Sequence, residues 1–118
     1  MSHRAQNIFA KRPQGLDRED FLTLFETSSI KVERITSHSH SSPPGFWYDQ
    51  NWDEWVIVMR GSATLEFEGN EVVELKQGDY VTIAKHVKHR VANTARETVW
   101  LAVHGKLKTT VQGSTFKV

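Results

Sequence analysis

The chain has 118 residues, a length typical of one domain with a sizeable core. Its 15 basic and 14 acidic residues are scattered and give a net charge of +1, so neither nucleic acid nor a membrane surface is expected as a partner. There is no cysteine, which excludes disulfides and thiolate ligands, and any metal must bind to histidine, carboxylate, amide or water. No apolar run is long enough for a membrane span or a signal peptide, so we expect a cytoplasmic protein.

The N-terminal region predicts an arm followed by one short helix. Residues 1–15 are polar and include a proline and a glycine, which favours a loop. Residues 16–26 predict the helix, with Asp17 as the N-cap and an acidic first turn. Three apolar side chains fall on one helical face: Phe21, Leu24 and Phe25. We expect this helix to cover an open edge or end of the domain.

From Ile30 onward the pattern changes to the period of β-strands. Residues 30–37 alternate in a mixed way that is typical of an edge or partly exposed strand. Short strands separated by turns follow as far as residue 104, and no second helix is predicted, which favours an all-β barrel or sandwich. The expected organisation has three parts: 1–29 as arm and short helix, 30–104 as β-barrel, and 105–118 as C-terminal extension.

Glu54 stands at the head of a strongly β-forming run that ends at Gly61. At strand period it shares a face with Val56 and Val58, an unusual position for a carboxylate unless its charge is needed there. The opposite face carries an apolar stripe: Trp55, Ile57 and Met59. If Glu54 points into the domain, this stripe points outward and needs a cover, so we predict a homodimer.

Two short motifs in this region carry a family resemblance. Glu54 and Gly61 fit the end of one motif, and Gly78, His89 and Asn93 fit another. These motifs resemble those of the cupins, and the resemblance covers roughly residues 30 to 104. It implies a double-stranded β-helix, also called a jelly-roll barrel. This sequence departs from the motifs at a few positions: Ala84 and His86 stand where proline and glycine are usual, and Tyr48 and Gln50, or Trp47 and Asp49, occupy the slots of the usual His-x-His pair.

The resemblance also implies one divalent metal ion in the barrel, held by His89 and Glu54. Mn, Fe and Zn all suit such ligands, and the sequence does not choose among them. The missing ligands have two candidate sources, of which the first is preferred because imidazole binds transition metals more firmly than a neutral amide does. One is the displaced pair His38 and His40, and the other is the side-chain oxygens at the template slots: Gln50 and Asp49.

Aromatic residues near the motif suit the wall of a pocket for a small planar or sugar-like molecule. The predicted pocket residues are Trp47, Tyr48, Trp52 and His86. His104 ends a strand with Trp100 and Ala102 on its face, which favours a packing role. Two functions remain open at this point. One is a metal-dependent enzyme of the oxygenase or isomerase type, and the other is a metal-free barrel that binds or senses a small molecule.

Overall fold

The computed structural model describes residues 3–12 and 18–107 of the chain. They contain eight β-strands: β1 (Asp20–Glu26), β2 (Ile30–Ser37), β3 (Asp53–Arg60), β4 (Ser62–Phe67), β5 (Glu71–Lys76), β6 (Tyr80–Ile83), β7 (His89–Thr94) and β8 (Thr98–Gly105). Five strands form one sheet in the order β1-β2-β8-β3-β6, and three form a second sheet in the order β5-β4-β7. Every strand pairing is antiparallel. The predicted all-β jelly-roll architecture is confirmed.

The core lies between the two sheets, because side chains from both contribute to one buried cluster. In β3 the predicted alternation holds: Glu54, Val56 and Val58 are buried, and the residues between them are half-buried. Strands β4 and β7 supply Leu65 and Val91 from the opposite sheet. This arrangement places the Glu54 carboxylate on an inner face, where a charge must find a partner or a ligand.

The predicted N-terminal helix is wrong. Residues 20–26 form strand β1, which pairs along the outer edge of β2, while residues 13–17 lie outside the described part of the chain. A strand satisfies the backbone groups of both β1 and β2, and this tertiary gain outweighs the weak helical periodicity of the segment. The register shifts between Thr23 and Phe25, so Leu24 sits at a bulge.

Strand β2 is therefore not an edge strand, contrary to the prediction. It lies between β1 and β8, and its residues from Val32 to Ser37 are all buried. The N-terminal arm covers its outer face. There the guanidinium of Arg34, only 3% exposed, donates hydrogen bonds to the carbonyls of Ile8 and Ala10. The arm on the outer face and the core on the inner face together remove β2 from solvent.

Strand β8 ends at Gly105, and the predicted extension from residue 108 onward lies outside the described residues. The domain boundaries at residues 29 and 104 stay a prediction, although β1 falls inside the segment assigned to the arm. Within the described ranges, no helix has the length and apolarity needed to cross a membrane.

Candidate functional site

A cavity of about 100 Å³ lies between the sheets next to Glu54. Apolar side chains from both sheets form much of its wall, including Val56, Leu65 and Trp100. Phe21 of β1 also lines the cavity and is 55% exposed, so the cavity reaches the surface at this strand. The polar lining residues are Glu19, Glu33, Tyr48, Gln50, Glu54, His89 and His104.

His89 begins β7 and is held in one orientation. Its Nδ1 lies 2.9 Å from the carbonyl oxygen of Val87. Because a carbonyl oxygen only accepts hydrogen bonds, Nδ1 must carry a proton and donate it to this bond. The ring of Tyr48 stacks on the imidazole, with centroids 5.5 Å apart, and the two backbones form an antiparallel bridge. In the neutral tautomer, Nε2 then carries the free lone pair, and it faces the Glu54 Oε1 atom at 3.7 Å.

Two opposing effects set the pKa of His89. Burial of the imidazole, which is 5% exposed, lowers the pKa, whereas the Glu54 carboxylate and the Val87 carbonyl raise it. The net result is a pKa above the ordinary value of 6.5. His89 therefore gains a proton more readily than a histidine in water, and that proton would be directed at Glu54.

Glu54 lies between two imidazoles without a hydrogen bond to either. Its Oε1 atom is 3.7 Å from His89 Nε2, and its Oε2 atom is 3.9 Å from His104 Nδ1. The residue is only 8% exposed, and no side chain in the described ranges donates a hydrogen bond to its carboxylate. A buried carboxylate in this state has unused acceptor capacity directed at the cavity.

His104 differs from His89 because both of its ring nitrogens are occupied. Trp52 Nε1 donates a hydrogen bond to Nδ1 at 3.1 Å, and Nε2 lies 2.8 Å from Glu33 Oε1. Since indole is a donor only, Nδ1 is the acceptor and Nε2 carries the proton given to Glu33. This hydrogen bond lowers the pKa of Glu33 despite the opposing effect of burial, with Lys31 helping to lower it.

Tyr48 and Glu19 complete the polar wall. Burial, with the charges of Glu19 and Glu54, raises the pKa of the Tyr48 phenol above its ordinary value of 10.0. The phenol therefore stays protonated and can donate a hydrogen bond to a ligand. Glu19 accepts a hydrogen bond of 2.7 Å from the Ser37 hydroxyl, which in turn accepts one from Trp100 Nε1.

His38 and His40 do not come together beside Glu54, and neither lines the cavity. Ser39 between them adopts a φ of 54°, which breaks the strand alternation that would place both imidazoles on one face. His40 Nε2 lies 3.7 Å from Glu19 Oε1. His38 is half-buried, with a buried Nε2 that has no hydrogen-bond partner in the described part of the protein.

The template slots of the first motif are split between the cavity and the surface. Gln50 lines the cavity, whereas Asp49 bonds to the exposed imidazole of His86 at 2.9 Å. Among the predicted pocket residues, Tyr48 lines the cavity, whereas Trp52 is exposed and donates a hydrogen bond to the wall residue His104. Trp47 and His86 are exposed and lie outside the cavity wall.

The predicted metal site needs at least three well-placed ligands. Across residues 3–12 and 18–107, no group of three or more histidine and carboxylate side chains is arranged to hold an ion. Two atoms that could ligate a metal, His89 Nε2 and a Glu54 oxygen, face each other with free lone pairs. The third neighbouring group, His104, has already used both nitrogens. As arranged, the side chains do not fit the four-ligand site that the resemblance implies.

Sequence reasoning missed Glu33 and underrated His104 as a functional residue. Both sit in the wall because β8 pairs with β2 on one side and with β3 on the other. His104 lies directly opposite Glu54 in the β3–β8 ladder. The available signal was the alternation Trp100, Ala102, His104, which continues an inward face to its end. The partner strand could not be chosen without the topology.

Comparison with known proteins agrees with this architecture. The family model described as "Cupin domain" matches residues 35–105. A solved structure from Ralstonia eutropha JMP134, described as a "putative mannose-6-phosphate isomerase", is 44% identical, with a TM-score of 0.84 over 89% of this chain and 100% of that one. No curated protein matches the chain.

More distant structures share the fold alone. An RmlC-like cupin protein from Desulfovibrio desulfuricans is 14% identical, with a TM-score of 0.69, and the match covers 90% of this chain and 100% of that one. A cupin superfamily protein from Desulfitobacterium hafniense DCB-2 is also 14% identical, with a TM-score of 0.67 over 89% and 100% of the two chains. The family model covers more than half of the sequence, and the strand order is that of a jelly roll. The chain belongs to the cupin family.

Proposed function

We propose that this protein binds a small molecule in the cavity and moves a proton on it, as an isomerase of 2-hydroxy carbonyl compounds does. The observation that carries the proposal is the buried pair of His89 and Glu54. One partner is an imidazole fixed by Val87 with a raised pKa, and the other is a carboxylate with unused acceptor capacity. An acid and a base facing one cavity are what proton transfer at carbon requires. The name of the Ralstonia relative points to the same reaction class.

The proposed reaction needs only these two groups. Glu54 takes the proton from C2 of a 2-hydroxy aldehyde, and the electrons of that bond form the C1–C2 double bond. The carbonyl electrons move to O1, which receives the proton of the His89 imidazolium, and an enediol results. Neutral His89 then takes the proton of the O2 hydroxyl while the Glu54 carboxylic acid returns its proton to C1. The product is the ketone, and both side chains regain their starting protonation states.

Solvent deuterium incorporation tests this chemistry directly. Mannose, mannose 6-phosphate, glyceraldehyde and glyceraldehyde 3-phosphate are incubated with the protein in D₂O, and NMR follows the C1 and C2 positions. We expect exchange with at least one compound, and a loss of about 10²-fold or more in His89→Gln and in Glu54→Gln. The matched controls are His3→Gln in the N-terminal arm and Glu74→Gln on exposed β5, which should exchange like the wild type. Exchange that persists unchanged in both site variants would contradict the proposal.

A metal-bound form of the same site is the second candidate. It is favoured by the two free donors that face each other, His89 Nε2 and Glu54 Oε1. Imidazole and carboxylate are ordinary ligands of Mn, Fe and Zn. Of the two predicted alternate ligands, Gln50 lies in the cavity wall.

Elemental analysis separates the two candidates. The wild type is compared with His89→Ala, with Glu54→Ala and with the double change His38→Ala plus His40→Ala. For the metal form we expect loss of the ion in the first two proteins and retention in the double variant, because its imidazoles lie outside the cavity. A folded wild type that takes up no ion after incubation with Mn, Fe or Zn salts would rule this form out.

We also propose a homodimer, formed through β1. The stripe of Trp55, Ile57 and Met59 is half-buried, and Trp55 packs against the ring of Tyr80 at 5.4 Å. Greater apolar exposure occurs on β1, the outermost strand of its sheet. Its exposed large side chains are Phe21, Leu22, Leu24 and Phe25. An apolar edge strand that the described residues leave exposed is a favourable surface for pairing with a second copy of the chain.

A further inference from the structure

The polar groups of the cavity are mainly acceptors. Three of its lining residues carry carboxyl groups, Glu19, Glu33 and Glu54, and no lysine or arginine is found among the described residues of its wall. Lys31 approaches Glu33 from outside, with its Nζ 3.6 Å from Oε2 and its side chain 45% exposed. The available donors are therefore few: the Tyr48 phenol, the Gln50 amide and the His89 imidazole.

Two of the three carboxyl groups already accept hydrogen bonds, whereas Glu54 has only the longer contacts with His89 and His104. Glu33 is bonded to His104, and Glu19 is bonded to Ser37. Glu54 is buried and receives no hydrogen bond from the described residues, although it lies on the inner face of β3 with its oxygens toward the cavity. A ligand that places a hydroxyl or an ammonium group near Glu54 would satisfy this acceptor, whereas a second anion would leave it unsatisfied and add repulsion.

A phosphate group is poorly matched to these surroundings. Proteins usually bind phosphate with arginine, lysine, or several backbone N–H groups at a helix N-terminus. The described part of the chain contains no helix, and the cavity wall there offers neither cationic side chain. Burying a dianion beside Glu19 and Glu54 without arginine, lysine or a helix N-terminus would cost more than the His89 imidazole and the two neutral donors of the wall return.

We propose that the cavity selects an unphosphorylated ligand, neutral or cationic, that presents hydroxyl or amine donors to Glu54. This inference rests on the proposed function, since it names the substrate class for the same site. It departs from the substrate in the name of the Ralstonia relative, which is a sugar phosphate. The aromatic rings of Tyr48 and Phe21 at the wall fit this class as well, because their faces favour C–H groups and cations.

Three probes that share one sugar ring test the inference: mannosamine, mannose and mannose 6-phosphate, which are cationic, neutral and dianionic at neutral pH. Binding is followed by NMR shifts of the His89 ring and the Trp100 indole, both in the cavity wall. We expect mannose and mannosamine to bind at least about tenfold more tightly than mannose 6-phosphate. Replacing Glu54 by Gln should narrow this difference, and Glu19→Gln serves the same purpose if the first variant does not fold. Glu74→Gln on β5 is the matched control and should preserve the wild-type order.

Each outcome is decisive, and the binding and exchange results can be read separately. Equal or tighter binding of mannose 6-phosphate would overturn the inference, while deuterium exchange with that compound would leave the proposed chemistry intact. Preferential binding of the two unphosphorylated sugars, with no deuterium exchange in any of the four compounds of the exchange experiment, would support the inference and refute the chemistry. If none of the three shifts either resonance at high millimolar concentration, both the ligand class and the proposed function fail.

Discussion

A single carboxylate, Glu54, faces two imidazoles that the protein treats differently. His104 is fixed on both nitrogens by hydrogen bonds to Trp52 and Glu33. His89 is fixed on one nitrogen only. The environment thus separates a positioning imidazole from a reactive one, although both lie within 4 Å of the same residue.

The raised pKa of His89 gives the first prediction. Replacing Glu54 by Gln removes the carboxylate that favours the imidazolium, so burial should dominate and the pKa of His89 should fall. NMR titration of the histidine Hε1 signals measures it. We expect the wild-type value to lie above 6.5 and the variant value to lie below the wild-type value.

The stability effect of this shift follows from its sign. A raised pKa stabilises the folded protein fully below the unfolded value near 6.5, and this contribution is lost as the pH rises through the higher folded value.

The control for the His89 titration is Glu74→Gln, which lies far from the ring in the fold and should leave the titration unchanged. An unaltered His89 titration in Glu54→Gln would show that the carboxylate has no influence on the imidazole.

At this scale, Glu54 and His89 could be predicted from the sequence, and the structure places both in the cavity wall. Both could be identified because an acidic residue on a valine face and a histidine in a motif are signals that a short stretch of sequence carries. Glu33 and His104 could not, because their role depends on which strands are neighbours. His38 and His40 looked like a pair at strand spacing, but one residue with positive φ separates them.

At the level of elements, the connection between β3 and β4 depends on Gly61. Its φ is +90°, and a Cβ built there would lie 2.4 Å from the carbonyl oxygen of Glu97. Gly78 has the same φ of +90° but no atom within 4 Å of such a Cβ. The two glycines therefore share the conformational penalty and differ only in the steric clash.

We predict that Gly61→Ala destabilises the protein by at least about 2 kcal/mol more than Gly78→Ala does, because the backbone of residue 97 must shift. Chemical denaturation of both variants beside the wild type measures the difference in the free energy of unfolding. Equal losses in the two variants would mean that the region around Glu97 adapts freely and that only the φ angle matters.

The element that sequence reasoning misassigned is β1. Its apolar residues fit one face of a helix, and helical periodicity in a short segment is weak compared with the backbone bonds offered by an open strand. The sequence contained no sign that a further strand would pair with β2, since β2 itself looked like the edge of the sheet. The remaining strands alternate clearly and end at turns, such as Gly69 and Asn70 with their positive φ angles, and could be predicted.

For the whole molecule, the Glu33–His104 bond predicts a pH-dependent contribution to stability. The pKa of Glu33 is lowered in the folded protein, so the bond stabilises the fold fully above pH 4.5, the ordinary pKa. This contribution disappears as the pH falls through the lower pKa of the folded state. We expect the free energy of unfolding of the wild type to exceed that of Glu33→Gln by on the order of 1 to 2 kcal/mol at neutral pH.

Urea unfolding at several pH values between 7 and 3 checks this expectation. The difference between the two proteins should shrink toward the acid end, which separates the effect of Glu33 from that of other carboxylates, because they titrate in both proteins. A difference that stays constant over the whole range would assign the loss to packing instead of charge.

The oligomeric state is the second prediction at this scale. Phe25 on β1 is 59% exposed, and Val72 on β5, the outer strand of the other sheet, is 54% exposed. If β1 forms the dimer interface, Phe25→Lys should yield a monomer, while Val72→Lys should remain a dimer. Light scattering at micromolar concentration distinguishes these states. A monomeric wild type would refute the dimer, and a dimeric Phe25→Lys would move the interface away from β1.

The bond between Trp52 and His104 has a consequence for how the site could change its chemistry. The indole N–H occupies the lone pair of His104 Nδ1, which lies 3.9 Å from Glu54 Oε2. Trp52→Phe would release this nitrogen and add one free lone pair to the neighbourhood of Glu54 and His89. We expect calorimetry with Zn²⁺ to show tighter binding for Trp52→Phe than for the wild type, and equal affinity would contradict the idea. In evolutionary terms, a single substitution at residue 52 would change the donors that this cavity offers, so this hydrogen bond is one place where the chemistry of the barrel could diverge.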